Sequence, residues 1–210
     1  PNRKKGMVHS SKIVNIGIVA HVDAGKTSIT ELFLYKSGAI RSPGSVDKGT
    51  SQSDHLAVEK ERGISVKSSS ASFEWNHCKI NLIDTPGHVD FSAEVERSLR
   101  ALDCAVLVLS AVEGVEAHTD TLWKALRKMN IPTIIFINKI DRMGADTDAV
   151  INDIRKELTG DIVMLQYVNN VGTNEANITD VSQSMTEEFI ESILHHDDLL
   201  MDRYLHDESL

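Results

Sequence analysis

Residues 20–27 read Ala-His-Val-Asp-Ala-Gly-Lys-Thr and lie between a short apolar run and an amphipathic stretch. A strand, a glycine-bearing turn and a helix opened by Lys-Thr send successive backbone N–H groups toward one point, an arrangement suited to phosphate oxygens. Residues 12–20 read as the strand. Residues 26–36 read as the helix, with Ile29, Leu32, Phe33 and Tyr35 at largely helical spacing and Ser37-Gly38 at its end. Ala20, His21, Val22, Asp23, Ala24, Gly25, Lys26, Thr27 and Ser28 are therefore the candidate phosphate-binding residues. Lys26 would reach the β- and γ-phosphates, and the Thr27 hydroxyl would ligate Mg²⁺, a cation that prefers oxygen ligands and phosphates. Ala20 stands where the strict pattern has glycine. An accidental glycine turn is the plainer alternative.

Beyond this loop, short apolar runs alternate with amphipathic stretches in the order expected of βαβ units on a mostly parallel sheet. Residues 40–63, rich in Ser, Gly and charge, read as a long loop. Residues 66–75 and 78–84 read as a strand pair joined near Asn76-His77, followed by a helix over 89–101. A strand over 103–110, a helix over 118–129, a strand over 131–138 and a helix over 147–158 complete five strands. The tail is expected to hold a short apolar run to Val168, a polar loop and acidic helical sequence. The predicted fold is an α/β P-loop NTPase of small-GTPase-like, three-layer build. The predicted divisions are a disordered or non-native stretch over 1–10 with Met7 as the native start, a nucleotide-binding domain over 11–160, and part of an inserted α/β subdomain over 161–210.

Two further strand ends carry chemistry. Asp84-Thr85-Pro86-Gly87-His88 follows a strand, so Asp84 can hold Mg²⁺ through water while the Gly87 N–H approaches the γ-phosphate; a simple Pro-Gly turn is the alternative. Asn138-Lys139-Ile140-Asp141 ends another strand, on the edge where open α/β sheets take ligands. The Asp141 carboxylate can accept from guanine N1–H and the 2-amino group, donors that adenine does not present in that arrangement. Asn138 would support the base edge and the loop, and the Lys139 stem could lie over the base; a solvated turn is the alternative. Three motifs in order on three strand ends point to GTP or GDP.

Charge and length exclude other classes. A formal charge of −9 carries no global basic footprint, so a nucleic-acid contact would need a local patch or further sequence. The apolar runs 105–109 and 131–137 are far short of the roughly 20 residues that span a bilayer, and no membrane partner is expected. Cys78 and Cys104 lack CxxC spacing, which suits reduced thiols in a cytoplasmic protein.

Together with Glu61-Arg62-Gly63-Ile64-Ser65, these motifs resemble the nucleotide domains of translational GTPases in the elongation factor G group. The resemblance covers about 13–158. Residues 35–40 (Tyr-Lys-Ser-Gly-Ala-Ile), 44–50 (Gly-Ser-Val-Asp-Lys-Gly-Thr), 126–129 (Leu-Arg-Lys-Met) and Asp197-Asp198-Leu199-Leu200 are most similar to the tetracycline-resistance ribosomal protection proteins. Elongation factor G shares the phosphate loop, the segment 84–88 and residues 94–99, so translocation stays as an alternative function. A nucleotide-dependent binding fragment is another.

The resemblance implies several roles. Ser65 takes the switch position usually held by threonine and would ligate Mg²⁺, against a plain loop serine. His88 would position the attacking water between Val22 and Ile64, against a capping role; imidazole can donate and accept there. Asp23 would assist at the ribosome. No arginine finger is visible in the chain, so the ribosome is the implied activator of a monomeric GTPase, and the drug-facing elements of that family lie in later domains. The family's Ser-Ala-Lys-type guanine loop is not found over 161–210, and the sequence is expected to stop within an insertion that precedes it.

Overall fold

The computed structural model describes residues 12–42, 69–84, 93–181, 187–195 and 198–206. A five-stranded sheet is ordered β2-β3-β1-β4-β5, with β1 Lys12–Ala20, β2 Ser69–Trp75, β3 Cys78–Asp84, β4 Cys104–Ser110 and β5 Thr133–Asn138. Neighbours are parallel except β2 against β3. That one antiparallel pair turns at Asn76 and His77, both with positive φ (46° and 63°), as a two-residue hairpin requires.

The central strands are apolar without alternation because helices cover both faces. Ala105, Leu107 and Leu109 of β4 join Val19 in one cluster with Leu122, Ala125 and Leu126 of α3 (Ala117–Lys128) and Val150 of α4 (Thr147–Asp153). Val106 and Val108 face the other way, with Ile18, Ala20 and Leu82, toward Ile29 of α1 (Lys26–Lys36). Leu99 of α2 (Ala93–Arg100) enters the first cluster. On the outer strand β5, Ile135 and Ile137 pack inward while Ile134 and Phe136 are exposed.

Several details differ from expectation. β5 starts at Thr133 rather than at 131, since Pro132 has no N–H for a ladder, although its carbonyl still accepts from Ala105 N–H at 2.9 Å. The helix expected over 147–158 widens after Asp153 into a π-turn, Ile154–Leu158, and the Trp123 indole N–H donates to its last carbonyl, Leu158 O, at 3.0 Å. In the tail, β6 (Gln166–Asn169) pairs antiparallel with a strand not expected there, β7 (Asn177–Asp180). Helices α5 (Glu187–Leu194) and α6 (Asp198–Leu205) follow, agreeing with the acidic helical reading.

Register sets which residues share the sheet's carboxyl edge. Ile18 pairs with Asp84, Ala20 with Val108 and Ser110 with Asn138. The three motif-bearing strands therefore end on one edge. The connections from β1 and β4 run in opposite directions there, the switch point where such sheets bind ligands.

Candidate functional site

β1 ends at Ala20 and passes directly into the turn that opens α1. Asp23 (φ 65°) and Gly25 (φ 94°) are both left-handed, the backbone state that turns N–H groups into an anion-binding concavity. Gly25 is the N-cap of α1 and offers no side chain to it, and no acidic residue stands in the first turn. The first amides of α1 thus meet the positive end of the helix dipole without an internal carboxylate. Lys26 and Thr27 begin the helix and are buried, and Ser28 is exposed. The Thr30 hydroxyl donates to Lys26 O at 3.1 Å, and Ile29 N–H to Gly25 O at 3.1 Å, closing the first turn.

The guanine-type motif is bound to this loop. Asn138, the last residue of β5, donates from Nδ2 to Ala24 O at 2.9 Å, and a Cβ on Gly25 would lie 2.2 Å from that same nitrogen. Only glycine leaves room for the asparagine amide. After β5 the chain turns through Lys139 (φ 59°), whose ammonium pairs with the Glu113 carboxylate at 3.2 Å. Ala111 N–H donates to Asn138 O at 2.8 Å, and Gly172 N–H, from the loop between β6 and β7, donates to Ile140 O at 2.8 Å. Asp141 is exposed and makes no hydrogen bond to a described residue, so its carboxylate can accept from a base. The Gly172 contact carries no signal in the local sequence.

Asp84 closes β3 on the same edge; its side chain lies outside what the structure describes, as do Ser65, Gly87 and His88. Among the described residues no group of three or more His, Cys, Asp or Glu could hold a metal ion. The one donor that can be tested, the Thr27 hydroxyl at the head of α1, is an oxygen of the kind that Mg²⁺ takes together with nucleotide phosphates. No helix among the described residues is long and apolar enough to cross a membrane.

Sequence reasoning missed the neighbours of His21. This loop residue is 3% exposed, and its Nδ1 lies 3.2 Å from Glu116 Oε2, at an angle that makes no hydrogen bond. Glu116 is the N-cap of α3 in a reciprocal capping box with Thr119, the reverse order of the usual Ser/Thr-x-x-Glu pattern, so the local sequence carried no clear mark of this helix start. His118 stands in the first turn, its Nε2 buried without a partner. Burial, and then the neighbouring His21 imidazole, push the His118 ring below its ordinary value, against an opposing pull from Glu116.

The profile of the elongation factor Tu GTP binding domain matches residues 11–201. The tetracycline resistance protein TetW of Butyrivibrio fibrisolvens is 57% identical over 158 residues, 75% of this chain and 25% of that protein. TetP of Clostridium perfringens is 50% identical over 92% of this chain and 30% of its own length. TetM from transposon Tn916 of Enterococcus faecalis is 48% identical over 95% of this chain and 30% of its own length. A crystal structure from Thermus thermophilus superposes with a TM-score of 0.80 at 27% identity, over 95% of this chain and 34% of that one. The chain therefore spans at most about 30% of the length of these curated relatives.

Proposed function

The chain belongs to the elongation factor Tu GTP-binding domain family, and on that premise we propose that it is the GTPase domain of a ribosomal protection protein that confers tetracycline resistance, with hydrolysis stimulated by the ribosome. Guanine-nucleotide binding follows from the family. The finer reading is supported by the names and the 48–57% identity of TetM, TetP and TetW.

One observation carries the nucleotide site: the Asn138-to-Ala24 hydrogen bond, which joins the base-selecting strand end to the phosphate loop. In the proposed site the amides over 23–28 and the Lys26 ammonium hold the phosphates, and Asp141 accepts from the guanine edge. Thr27, Ser65 and Asp84 would hold Mg²⁺, which when bound spreads the charge of the β- and γ-phosphate oxygens. The Gly87 N–H would approach the γ-phosphate and His88 would orient the attacking water. Phosphoryl transfer needs alignment and charge compensation more than covalent help, which suits a site that is slow until a partner completes it.

Two measurements test the proposal. In equilibrium titration the chain binds GDP and discriminates against ADP; equal affinities would remove the base-selection argument. In a translation assay with tetracycline, the full-length protein restores synthesis and a Lys26→Ala version does not. Stimulated translocation without restored synthesis in the drug would assign the protein to routine elongation instead.

A further inference from the structure

The loop that carries Asp141 is held by a second part of the chain. Gly172, in the turn of the β6–β7 ribbon, donates its N–H to Ile140 O at 2.8 Å. A Cβ on Gly172 would lie 3.6 Å from Arg142 O and 3.7 Å from Ala145 O, so the ribbon turn meets the loop backbone to backbone. The turn is braced from within. The Thr173 hydroxyl donates to Asn170 O at 2.8 Å and accepts from Glu175 N–H at 3.2 Å, while Ala176 N–H donates to Thr173 O at 3.1 Å. Behind it, the Asn169 amide donates across the ribbon to Asn177 Oδ1 at 3.1 Å and Thr179 Oγ1 at 3.0 Å. A turn fixed by its own hydrogen bonds presents an outward N–H already in place, with little left to order when the contact forms.

We propose that Gly172 is a positioning residue for guanine recognition: its N–H fixes the peptide that carries Asp141 and so aims the Asp141 carboxylate at the edge of the base. The inference rests on the nucleotide reading given above. The Ile140 carbonyl lies in one plane with the nitrogen and Cα of Asp141, so a hydrogen bond on that oxygen limits rotation of the plane and sets the direction in which the Asp141 side chain leaves the chain. Other restraints stand at the loop's ends, Ala111 N–H on Asn138 O at 2.8 Å before it and Asp146 N–H on Ala111 O at 2.9 Å after it. Gly172 holds the middle. Accepting from both N1–H and the 2-amino group of guanine needs both carboxylate oxygens aligned with the base edge, whereas a single bond to N1–H survives a tilt. The contact therefore governs base discrimination more than the grip on phosphate, which belongs to the loop after β1. Gly172 has φ 78°, so the residue there must accept the left-handed region and keep its N–H. Asparagine meets both conditions, and proline meets neither.

The test is the ratio of affinities for GDP and inosine diphosphate, taken by equilibrium titration of the 210-residue chain with Mg²⁺ present. Hypoxanthine keeps the N1–H of guanine and lacks its 2-amino group, so the ratio reads the alignment of Asp141. Gly172→Pro weakens GDP binding by about fivefold, the worth of one hydrogen bond, and changes inosine diphosphate binding by less than about twofold. Gly172→Asn keeps the native ratio. Thr173→Val leaves the Gly172 N–H in place but removes the brace behind it; it lowers the ratio by about twofold, and it decides the matter if the proline variant does not fold. A native ratio in Gly172→Pro would overturn the proposal. Equal losses for the two nucleotides would do so too, the signature of a turn that supports the fold and not the base. A lowered ratio in Gly172→Asn would place the effect in an added side chain and would also count against it. If the native chain fails to bind GDP in preference to ADP, the underlying nucleotide reading falls instead, and the inference with it.

Discussion

The hydrogen bond between Asn138 Nδ2 and Ala24 O can be tested by a double-mutant cycle, because the space for it depends on Gly25. Asn138→Ala removes the donor and strips a fully buried residue, Ala24, of that partner for its carbonyl, a loss of about 1–3 kcal/mol. Gly25→Ala puts a side chain on a residue with φ 94°, which costs an L-residue about 1–2 kcal/mol. Its Cβ would also lie 2.2 Å from the asparagine nitrogen, too close for both, so the amide is displaced and the same carbonyl is orphaned at a further cost of about 1–3 kcal/mol. The glycine variant alone therefore loses about 2–5 kcal/mol, within the roughly 5–15 kcal/mol stability of an ordinary domain.

In the double variant the amide is already gone, so the collision vanishes and the carbonyl is lost only once. The total stays at about 2–5 kcal/mol instead of the additive sum of about 3–8, a coupling of about 1–3 kcal/mol. Urea unfolding of the four nucleotide-free proteins measures it, and GDP titration of the same set reports whether the loss reaches the ligand. Additivity to within about 0.5 kcal/mol would refute the claim that these two motifs are mechanically joined through this bond.

Other outcomes follow from single groups. Asp141→Asn lowers guanine affinity by about a hundredfold, two charge-assisted hydrogen bonds at about 1.5 kcal/mol each, and moves preference to xanthine nucleotide, whose carbonyl meets the new amide; an unchanged guanine preference in competition assays would sink this. His88→Ala leaves GDP affinity intact and cuts ribosome-stimulated single-turnover hydrolysis by about 10²–10⁴, whereas native rates would remove His88 from the reaction. The depressed His118 ring makes the folded state bind fewer protons than the unfolded chain below the ordinary value of 6.5. Stability is thus full above that value, declines as pH falls through it, and levels off once the depressed folded value is passed. His118→Gln flattens this part of the unfolding curve, and an unaltered pH dependence would show that the titrating group lies elsewhere.

Local signals carried far where local physics decides. The strand Lys12–Ala20 and helix Lys26–Lys36 stand as expected, since an apolar run, a glycine turn and a helical period each leave a mark in consecutive residues. The strand Asn177–Asp180 left none: all four residues are exposed, so no alternation of apolar and polar side chains announces it. The same division runs through the site. Residue types in the phosphate loop and after β5 were legible as motifs, but the bond between them links positions 114 apart and obeys no spacing rule. His118 reads as the start of a helix, one residue later than the observed start at Ala117, and only the fold brings the N-cap Glu116 to within 3.2 Å of His21.

The shape of the phosphate loop is consequently a tertiary property. A non-glycine residue in the left-handed region, as at Asp23, is uncommon and must be over-determined by its surroundings. β5 supplies one such restraint through the Asn138 amide on the Ala24 carbonyl. That restraint uses no group that a phosphate would need: Gly25 offers α1 no side-chain cap, and no acidic residue stands in its first turn. Curvature is therefore set by contacts from outside the loop while its donors remain free to face an anion, the preorganisation that lets an octapeptide bind phosphate without first being bent by it. A change at that restraint should then act on nucleotide lifetime before it acts on the choice of base, which the proposed site gives to the exposed carboxylate of Asp141.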